Sequence, residues 1–583
     1  MPTPTPSVLL CTALSLLSAV KTSNGMTVPN KAGEPSISAS YWYDWAWYGG
    51  YPHTSYQSFG ANSPWPNLVK EDQRCYNGLT FLEPRGHYVE TPGPIVMDNK
   101  GNLVWMESKW GQAMDLRVQK YQGKDYITFW YGFDSTTFGS GSYLMLDESY
   151  EVVKEVRPVG DGLDGDLHEF HITENGTGMM TIYTAVEADM SGYGMPKGWI
   201  YDSLFQEVDL ETGELIFEWR ASDHYKVHDS KTNRAGQGTS KEDAFDFFHI
   251  NSIDKDANGD YLISSRYMCA VACISHEDGR VLWQLGGDAN SFEDLSEGAV
   301  TNMTWNHHAA WYENTTLTLF DNGSSGKIKS ADYSRGLMID LDLEAMTAKL
   351  VHSYVAPLHY LAPSQGSVQT LPNGNVFVGW GHTPGFTEYT MDGEVLCDTH
   401  FGPIWFADMA FTKSYRTFKF NWVGKPKTLP DVASRPSEGA LYVSWNGATE
   451  VKQWKVLSTD DKSADDYRSH NAVDKTGFET KISLGWDVGE FVRVVALDSK
   501  GEVLASSEPI SRHQDTPFSL REAPERWTPW FEPVTVISLS STGIMVLLVL
   551  AVRFYPTIRR SIFRLSSRSR SPAHKYEPVS TTI

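Results

Sequence analysis

The stretch IVMDNKGNLVW (Ile95–Trp105) recurs in this chain as EVDLETGELIFEW (Glu207–Trp219) and CISHEDGRVLW (Cys273–Trp283). In each copy an apolar run leads to an acidic residue near a glycine, and a second apolar run follows that ends in Trp. Alternating apolar positions on both sides of a turn that favours positive φ are typical of a β-hairpin. The repeat therefore predicts several hairpins of the same kind.

Three weaker copies extend this repeat along the chain: YLMLDESYEVV (Tyr143–Val153), LMIDLDLEAMTAKLV (Leu337–Val351) and FTEYTMDGEVL (Phe386–Leu396). Successive copies lie about 58 residues apart. Further strand-like runs occur between the copies, so each unit contains four strands, the content of one propeller blade. Six units predict a six-bladed β-propeller over residues 40–425. A sandwich or barrel of unrelated hairpins is the alternative.

Beyond residue 430 the predicted strands become shorter and more regularly spaced. Runs such as ALYVSWNG (Ala440–Gly447) and FVRVVALDSKGEVLASS (Phe491–Ser507) alternate in the manner of an immunoglobulin/fibronectin-like β-sandwich. We therefore expect this β-sandwich over residues 430–510 and a stalk over residues 511–533. The fold class expected is all-β: a six-bladed β-propeller, then the sandwich, then a single C-terminal transmembrane helix.

Both ends of the chain carry apolar segments that indicate export and membrane anchoring. Val8–Val20 has the length of a signal-peptide core, which predicts a signal peptide over residues 1–23. Val534–Val552 is uncharged and long enough to cross a bilayer, and Arg residues follow it at once in the tail, 553–583. These features predict a single-pass type I membrane protein with an extracellular or lumenal ectodomain. Buried core helices are the alternative.

The charge of the chain excludes one class of partner. Its 583 residues include 49 Lys and Arg against 72 Asp and Glu, a net charge of −23. The basic tail after Val552 contributes +6, which leaves −29 for the rest of the chain. A surface of that sign repels phosphate groups, so we expect no nucleic-acid partner.

Four Asn-x-Ser/Thr triplets, at Asn175, Asn302, Asn314 and Asn322, are compatible with a glycoprotein. Four cysteines remain after the signal peptide, and they allow three disulfide connectivities: Cys75, Cys269, Cys273 and Cys397. On one extended strand Cys269 and Cys273 would lie roughly 13 Å apart, beyond disulfide reach. A turn between the two residues would reverse that conclusion.

Unusual polar residues interrupt three apolar stretches. His249 lies in DFFHINSI, His307 and His308 lie in WNHHAAWYENTTLTLFDNG, and Arg335 begins RGLMIDLD. In a propeller the innermost strands line a central channel, so polar residues from several blades converge there. Histidine and arginine together suit a sulfate or phosphate group, because Arg binds oxyanions and His transfers protons.

The run from Asp246 to Gly287 resembles the arylsulfotransferase family, and more closely its fungal membrane-anchored branch. DLHEF (Asp166–Phe170), HHAAWYENTTLTLFDNG (His307–Gly323), SRGLMIDLD (Ser334–Asp342) and LPNGNVFVGWG (Leu371–Gly381) fit the same family in the same order. The resemblance implies a six-bladed propeller and transfer of a sulfuryl group from a phenolic sulfate ester to a phenol. It implies no nucleotide sulfate donor and no cofactor.

In bacterial members of this family the reaction passes through a sulfohistidine. The resemblance, which covers roughly residues 75 to 510, assigns channel roles to His249, His308 and Arg335. The nucleophile should follow Arg335 in the chain, yet GSVQTLPNGN contains no histidine. His382 and His359 are the substitutes, and we take His382 as the fourth catalytic candidate.

Three other interpretations remain open at this stage. Asp166, His168 and Glu169 could bind a metal, because residues 166 and 168 share one strand face. The aromatic run Tyr41–Tyr51 could pack on the propeller or bind an aromatic or sugar ligand. The whole ectodomain could be a non-catalytic propeller that binds a small ligand or a surface partner.

Overall fold

The computed structural model describes residues 28–29, 40–135, 137–313, 315–463 and 465–516. Strands make up 46% of the structure and helices 5%, which confirms the all-β class. The predicted signal peptide, membrane span and cytoplasmic tail lie outside the described residues, as do most of the stalk and Asn314. Within the described ranges, no helix is long and apolar enough to cross a membrane.

Short elements begin the described chain, and three of their strands form one small sheet in the order β1-β2-β3. These elements are β1 (Val28–Pro29), α1 (Tyr41–Asp44), β2 (His53–Ser55), β3 (Ser63–Pro64) and β4 (Asn67–Lys70).

A long series of antiparallel strands follows. In chain order these strands are β5 (Leu79–Leu82), β6 (Ile95–Met97), β7 (Leu103–Met106), β8 (Ala113–Tyr121), β9 (Lys124–Asp134), β10 (Gly139–Leu146), β11 (Val152–Val156), β12 (Gly165–Ile172), β13 (Thr177–Met190), β14 (Met195–Asp209), β15 (Leu215–Arg220), β16 (Phe245–Asp246), β17 (Ile250–Lys255), β18 (Tyr261–Ser265), β19 (Ala270–Ile274), β20 (Val281–Gly286), β21 (Glu293–Asp294), β22 (His307–Trp311), β23 (Thr316–Asp321), β24 (Arg335–Asp342), β25 (Thr347–Val355), β26 (Ser367–Thr370), β27 (Val376–Gly379), β28 (Gly385–Tyr389), β29 (Val395–His400) and β30 (Thr417–Phe420). Short 3-10 helices lie at Ser191–Tyr193, Ala221–Asp223, Val227–Asp229, Ile404–Met409 and Pro436–Glu438.

These strands pair into six four-stranded groups. The groups run β30-β5-β6-β7, β8 to β11, β12 to β15, β17 to β20, β22 to β25 and β26 to β29. β10 and β12 also touch at one residue pair, Gly141 and Gly165, and β4 adds to the edge of β29. The late strand β30 completes the group that the early strands β5 to β7 begin, so the two ends of the series are joined.

The first strands of the six groups contact one another in a closed order. β8 contacts β12, β12 contacts β17, β17 contacts β22, β22 contacts β26, β26 contacts β30, and β30 contacts β8. Side chains that point inward from these six strands therefore share one central region.

Each of the six predicted hairpins is present, and each forms the third and fourth strands of its group. The repeat was visible in the sequence because each hairpin joins two largely apolar strands through a tight turn that contains acidic residues or glycine. The first strands carry no such signal, since they are buried and hold the polar residues of the centre.

Bulges interrupt the first strands near that centre. The pairing register shifts between Met114 and Arg117 in β8, and between His307 and Ala310 in β22. His249, which precedes β17, and His308 have φ values of 57° and 50°, in the left-handed region that non-glycine residues seldom occupy. A bulge re-aims side chains, so the centre is built from irregular rather than ideal strands.

The C-terminal strands form two sheets around one core, in which Leu441 and Val443 pack with Trp454 and Val494. The sheets have the orders β31-β32-β35 and β34-β33-β36-β37, with β38 beside β36. Their strands are β31 (Asp431–Arg435), β32 (Ala440–Ser444), β33 (Gln453–Thr459), β34 (Arg468–Asp474), β35 (Glu479–Ser483), β36 (Phe491–Leu497), β37 (Val503–Ser506) and β38 (Ile510–Ser511).

One disulfide joins Cys75 to Cys397, whereas Cys269 and Cys273 are free and buried. The bond connects segments 322 residues apart, beside the pairing of β4 with β29. Cys273 lies within β19, in agreement with the extended spacing that excludes a bond to Cys269. One of the three possible connectivities pairs Cys75 with Cys397 and Cys269 with Cys273. Of these two bonds, the structure contains only Cys75–Cys397.

Candidate active site

Three buried histidines face one another in the central region. His168 comes from β12, His249 precedes β17 and His307 begins β22, so neighbouring groups each contribute one ring. The ring centroids of His168 and His249 are 4.8 Å apart, and those of His249 and His307 are 6.5 Å apart. First strands from three successive groups thus create a histidine cluster that no single stretch of sequence contains.

A carboxylate holds each of the two closest rings. Asp166 Oδ2 lies 2.6 Å from His168 Nδ1, and Asp246 Oδ2 lies 2.5 Å from His249 Nδ1. A carboxylate accepts hydrogen bonds, so in both rings we assign a proton to Nδ1, which places the lone pair of a neutral His249 ring at Nε2. Among the described residues, the hydrogen bonds of these two rings run through Nδ1 and leave Nε2 of each ring without a hydrogen bond.

His307 is held differently, because both of its ring nitrogens are occupied. Its Nδ1 lies 2.7 Å from Asn322 Oδ1, and its Nε2 accepts the backbone N–H of Gln365 at 3.2 Å. Asn322 is itself fully buried. The glycosylation reading of Asn322 is therefore wrong, because this side chain orients His307 and cannot carry a glycan in the folded protein.

Burial sets the protonation of the cluster. Burial, with the charges of His168 and Arg266, holds the pKa of His249 well below its usual value, so its ring is neutral at neutral pH. Burial also raises the pKa of Asp246 to about 7. Burial alone would raise the pKa of Asp166, but the charge and hydrogen bond of His168 outweigh it and lower that pKa. The two carboxyl groups that hold the histidines therefore differ: the pKa of Asp246 is raised, whereas the pKa of Asp166 is lowered.

Two arginines near the histidines carry buried nitrogens without a hydrogen bond, although Arg266 also donates to the Pro363 carbonyl at 2.8 Å and Arg85 feels the charges of Asp134 and Glu83. Arg85 Nε and Nη1 and Arg266 Nε are buried without a hydrogen-bond partner, as is the Tyr415 hydroxyl. The Tyr415 ring lies 5.6 Å from that of His168. A buried donor without a partner costs roughly 1–3 kcal/mol, so such a group of donors indicates a place built to receive an oxyanion.

Lys413 adds to this positive region. Its backbone pairs with that of Arg85, and burial together with the Arg85 charge lowers the pKa of Lys413 to about 8. His382 feels the same positive charges. Burial, together with the charges of Lys413 and Arg85, lowers the pKa of His382 to about 3. His382 is thus neutral at physiological pH.

The other predicted catalytic residues lie in different surroundings. His308 points away from its neighbour His307, accepts the Val368 N–H at Nδ1 at 3.2 Å, and packs on the Phe418 ring. Arg335 is engaged by Asp321, at 2.9 Å from its Nε, and by the Ala299 carbonyl. His249 and His382 both interact electrostatically with Arg266, whereas Arg335 and His308 are bound to their own neighbours.

His359, the other substitute, is exposed and lies against the Tyr333 ring. His168 belongs to the histidine cluster, whereas its sequence context indicated only a possible metal ligand. Asp166 and His168 do share a strand face, but they bind each other, and Glu169 pairs instead with Arg117. In the described part of the chain, no group of three or more His, Cys, Asp or Glu could hold a metal ion.

A buried ionic network lies beside the cluster on the first strands. Arg416 Nη1 lies 2.7 Å from Asp115 Oδ1 and 2.9 Å from Glu169 Oε2, while Arg117 lies 2.7 Å from Glu169 Oε1. Arg416 Nη2 also donates to the Asn251 carbonyl at 2.8 Å. These charges are matched to one another, so the network supports the ring of strands.

A separate cavity of about 320 Å³ lies next to the disulfide, with Phe377 and Phe386 in its wall. Its buried charges, Lys419 and Glu388, are 2.8 Å apart and satisfy each other. The cavity lacks the unpaired donors and free imidazole nitrogens of the histidine cluster.

Residues 117–402 match the family model described as arylsulfotransferase (ASST). That match supports the arylsulfotransferase family. The matched region of this arylsulfotransferase-like chain contains all three clustered histidines and both of their carboxylate partners. The family indicates sulfuryl transfer in general, and phenolic substrates in general.

No curated protein matches the arylsulfotransferase-like chain. Among solved structures, a protein of unknown function from Bacteroides caccae is 12% identical, with 59% of this chain and 99% of that chain covered, at a TM-score of 0.35. TolB from Acinetobacter baumannii is 12% identical, with 55% and 63% covered, at 0.31. An inactive virginiamycin B lyase from Staphylococcus aureus is 10% identical, with 72% and 96% covered, at 0.27. At these TM-scores the similarities carry no argument.

Proposed function

We propose that this protein transfers a sulfuryl group from a phenolic sulfate ester to a phenol, through a covalent intermediate on His249. One observation carries the proposal: His249 is neutral, is anchored by Asp246 at Nδ1, and interacts electrostatically with Arg266, whose buried Nε has no hydrogen-bond partner. A neutral imidazole with an oriented lone pair is a nucleophile, and guanidinium groups stabilise a sulfuryl oxyanion. The six groups of strands would be blades of a six-bladed propeller, and their first strands would line its channel.

In the first half-reaction, His249 Nε2 attacks sulfur and forms an N–S bond. The S–O bond to the aryl group breaks, and its electron pair leaves with the phenolate oxygen. His168 supplies a proton to that oxygen from Nε2, and the Asp166 carboxylate stabilises the imidazolium before the transfer. Arg85 and Arg266 bind the sulfuryl oxygens throughout.

In the second half-reaction the acceptor phenol takes the place of the first product. His168, now neutral, accepts the phenolic proton at Nε2, and the acceptor oxygen attacks sulfur. The N–S bond breaks and its electron pair returns to His249, so the enzyme ends as it began. His307, whose two nitrogens are occupied, positions the cluster and takes no proton.

We also propose that the protein is a type I membrane protein with its catalytic part outside the cytoplasm. The apolar segments Val8–Val20 and Val534–Val552 and the basic tail support this location. Asn175 and Asn302 are exposed and remain available to a glycan.

Incubation of the purified full-length protein with 4-nitrophenyl sulfate and phenol tests the proposal. We expect release of 4-nitrophenol together with formation of phenyl sulfate, with no nucleotide sulfate added. Mass spectrometry of the protein quenched without acceptor should detect one added sulfuryl group. Binding of donor without any release of nitrophenol between pH 5 and pH 9 would instead support the non-catalytic propeller.

The Lys413 charge predicts a specific pH dependence. Because the pKa of Lys413 is lowered to about 8, its positive charge is complete near pH 7 and is lost as the pH rises through 8. We expect kcat/KM for the anionic donor to fall by about tenfold above that pH. Lys413→Arg should retain its charge and remove this decline, as measured by donor desulfation from pH 6 to pH 10.

The matched control is Lys120→Arg at an exposed lysine, which should keep the wild-type profile. A decline in Lys413→Arg identical to that of the wild type would show that another group controls the alkaline limb.

A further inference from the structure

A strip of aromatic rings leads along the surface to the cationic site. Tyr41, Trp42, Trp45 and Trp47 of the N-terminal segment are exposed, as are Trp405 and Tyr88. Neighbouring ring centroids along this aromatic strip are 4.7–6.3 Å apart, from Trp42 through Tyr41, Trp45, Phe406 and Phe411 to Tyr88. Phe406 and Phe411 are half-buried and join the exposed rings on either side of them. Isolated exposed aromatic residues are ordinary, but a cluster of several exposed rings marks an interaction surface.

The platform under the strip is held in place. Asp44 of α1 turns inward and lies 2.8 Å from His400 Nδ1, and the Ser40 N–H donates to Asn67 Oδ1 at 2.8 Å. The Thr412 hydroxyl donates to the Gly50 carbonyl at 2.9 Å. Tyr43 and Tyr51 of the same run are buried and serve as packing, so the aromatic run divides into an inner and an outer set.

The strip ends at the residues that would bind the sulfuryl group. Tyr88 and Phe411 lie on the same two-stranded ribbon as Arg85 and Lys413: the Arg85 N–H donates to Lys413 O, and the Tyr88 N–H to Phe411 O. At the same place, the Ala407 carbonyl of the 3-10 helix that carries Trp405 interacts with His382. A ligand anchored by its sulfate at Arg85 would therefore lay its remote part on the rings.

We propose that this strip binds the remote aryl rings of multi-ring phenolic substrates whose sulfate end reaches the histidine cluster. The inference rests on the proposed function for its sulfate end only. The rings are uncharged and stack on other aromatic faces, which favours an aryl group over a charged partner. Residues 41–47 and 405–411 lie outside the region 117–402 that matches the family.

The test compares a one-ring donor with a two-ring donor on full-length protein. In the double variant Trp45→Ala/Trp405→Ala, kcat/KM for biphenyl-4-yl sulfate should fall about tenfold, while that for phenyl sulfate stays unchanged. The matched control is Trp486→Ala, which removes a 94% exposed Trp in the turn between β35 and β36 and should change neither value. Equal losses for both donors, or no loss for either, would overturn the proposal.

A binding measurement separates the strip from the chemistry. Calorimetric titration with unsulfated biphenyl-4-ol should give about tenfold weaker binding in the double variant than in the wild type or in Trp486→Ala. If no donor is turned over, the proposed function fails. The titration with biphenyl-4-ol would still show whether the aromatic strip binds an aryl group. Unchanged biphenyl-4-ol affinity in the double variant would overturn the proposal.

Discussion

His249→Gln is expected to lower the turnover of an aryl sulfate by at least about a thousandfold, because it removes the nucleophile of a covalent reaction. Gln keeps a polar group near Asp246, so the buried carboxyl is not left without a neighbour. The sulfuryl adduct seen by mass spectrometry in the quenched wild type should be absent from the variant. Turnover with 4-nitrophenyl sulfate and peptide mapping of the adduct measure both effects.

Two comparisons make this result specific. His359→Gln changes an exposed histidine and should keep wild-type turnover. His168→Gln should still form the adduct with donors that have good leaving groups but react slowly with poor ones, because it removes the proton donor. An adduct mapped to His168 or His382, with His249→Gln active, would assign the nucleophile elsewhere.

Arg416→Met is expected to lower the free energy of unfolding by about 3–5 kcal/mol, the range typical of breaking a buried ion pair. Arg416 is fully buried, and its loss would leave Asp115 and Glu169 with less compensating charge. Burial already raises the pKa of Glu169, and Arg416 and Arg117 counteract that rise. Equilibrium denaturation in guanidinium chloride, followed by tryptophan fluorescence, gives the change in midpoint.

The matched control is Arg74→Met, which removes an exposed arginine that bridges Asp72 and Glu394. Its midpoint should stay at the wild-type value, since exposed ion pairs are weak. An Arg416→Met protein as stable as the control would mean that the network contributes nothing to the ring of first strands.

Local pattern made the six hairpins predictable. Residues such as Gly101, Gly213 and Gly279 have positive φ in the turns, and the strands on either side are adjacent in sequence. A hairpin depends on short-range geometry, so a single sequence carries its signature. The first strands depend on partners from other groups, and their polar residues do not follow an alternating pattern.

The histidine pair 307 and 308 illustrates why the site was only partly predictable. Neighbouring residues of a strand point to opposite faces, so exactly one of the two could join His249. The bulge in β22 decides which one, and it directs His307 to the cluster while His308 packs on Phe418. The family resemblance indicated His308. Residue type and spacing could not correct that choice, because they are the same for both histidines.

His168 was within reach of the sequence, since Asp166-Leu-His168 puts a carboxylate and an imidazole on one strand face. The sequence could not predict that His168 approaches His249, because the two residues are separated by 81 positions and meet only when the first strands close into a ring. The same closure brings Arg85 to Lys413 from opposite ends of the series.

The sequence by itself determined the all-β class, the six hairpins, the strands of the C-terminal sheets and the family resemblance, because each depends on short segments read in order. Only the tertiary structure decided which histidines meet, which buried arginine nitrogens lack a hydrogen bond and where the exposed aromatic rings lead. Those properties depend on burial and on distances between side chains far apart in the chain, and periodicity carries no information about either.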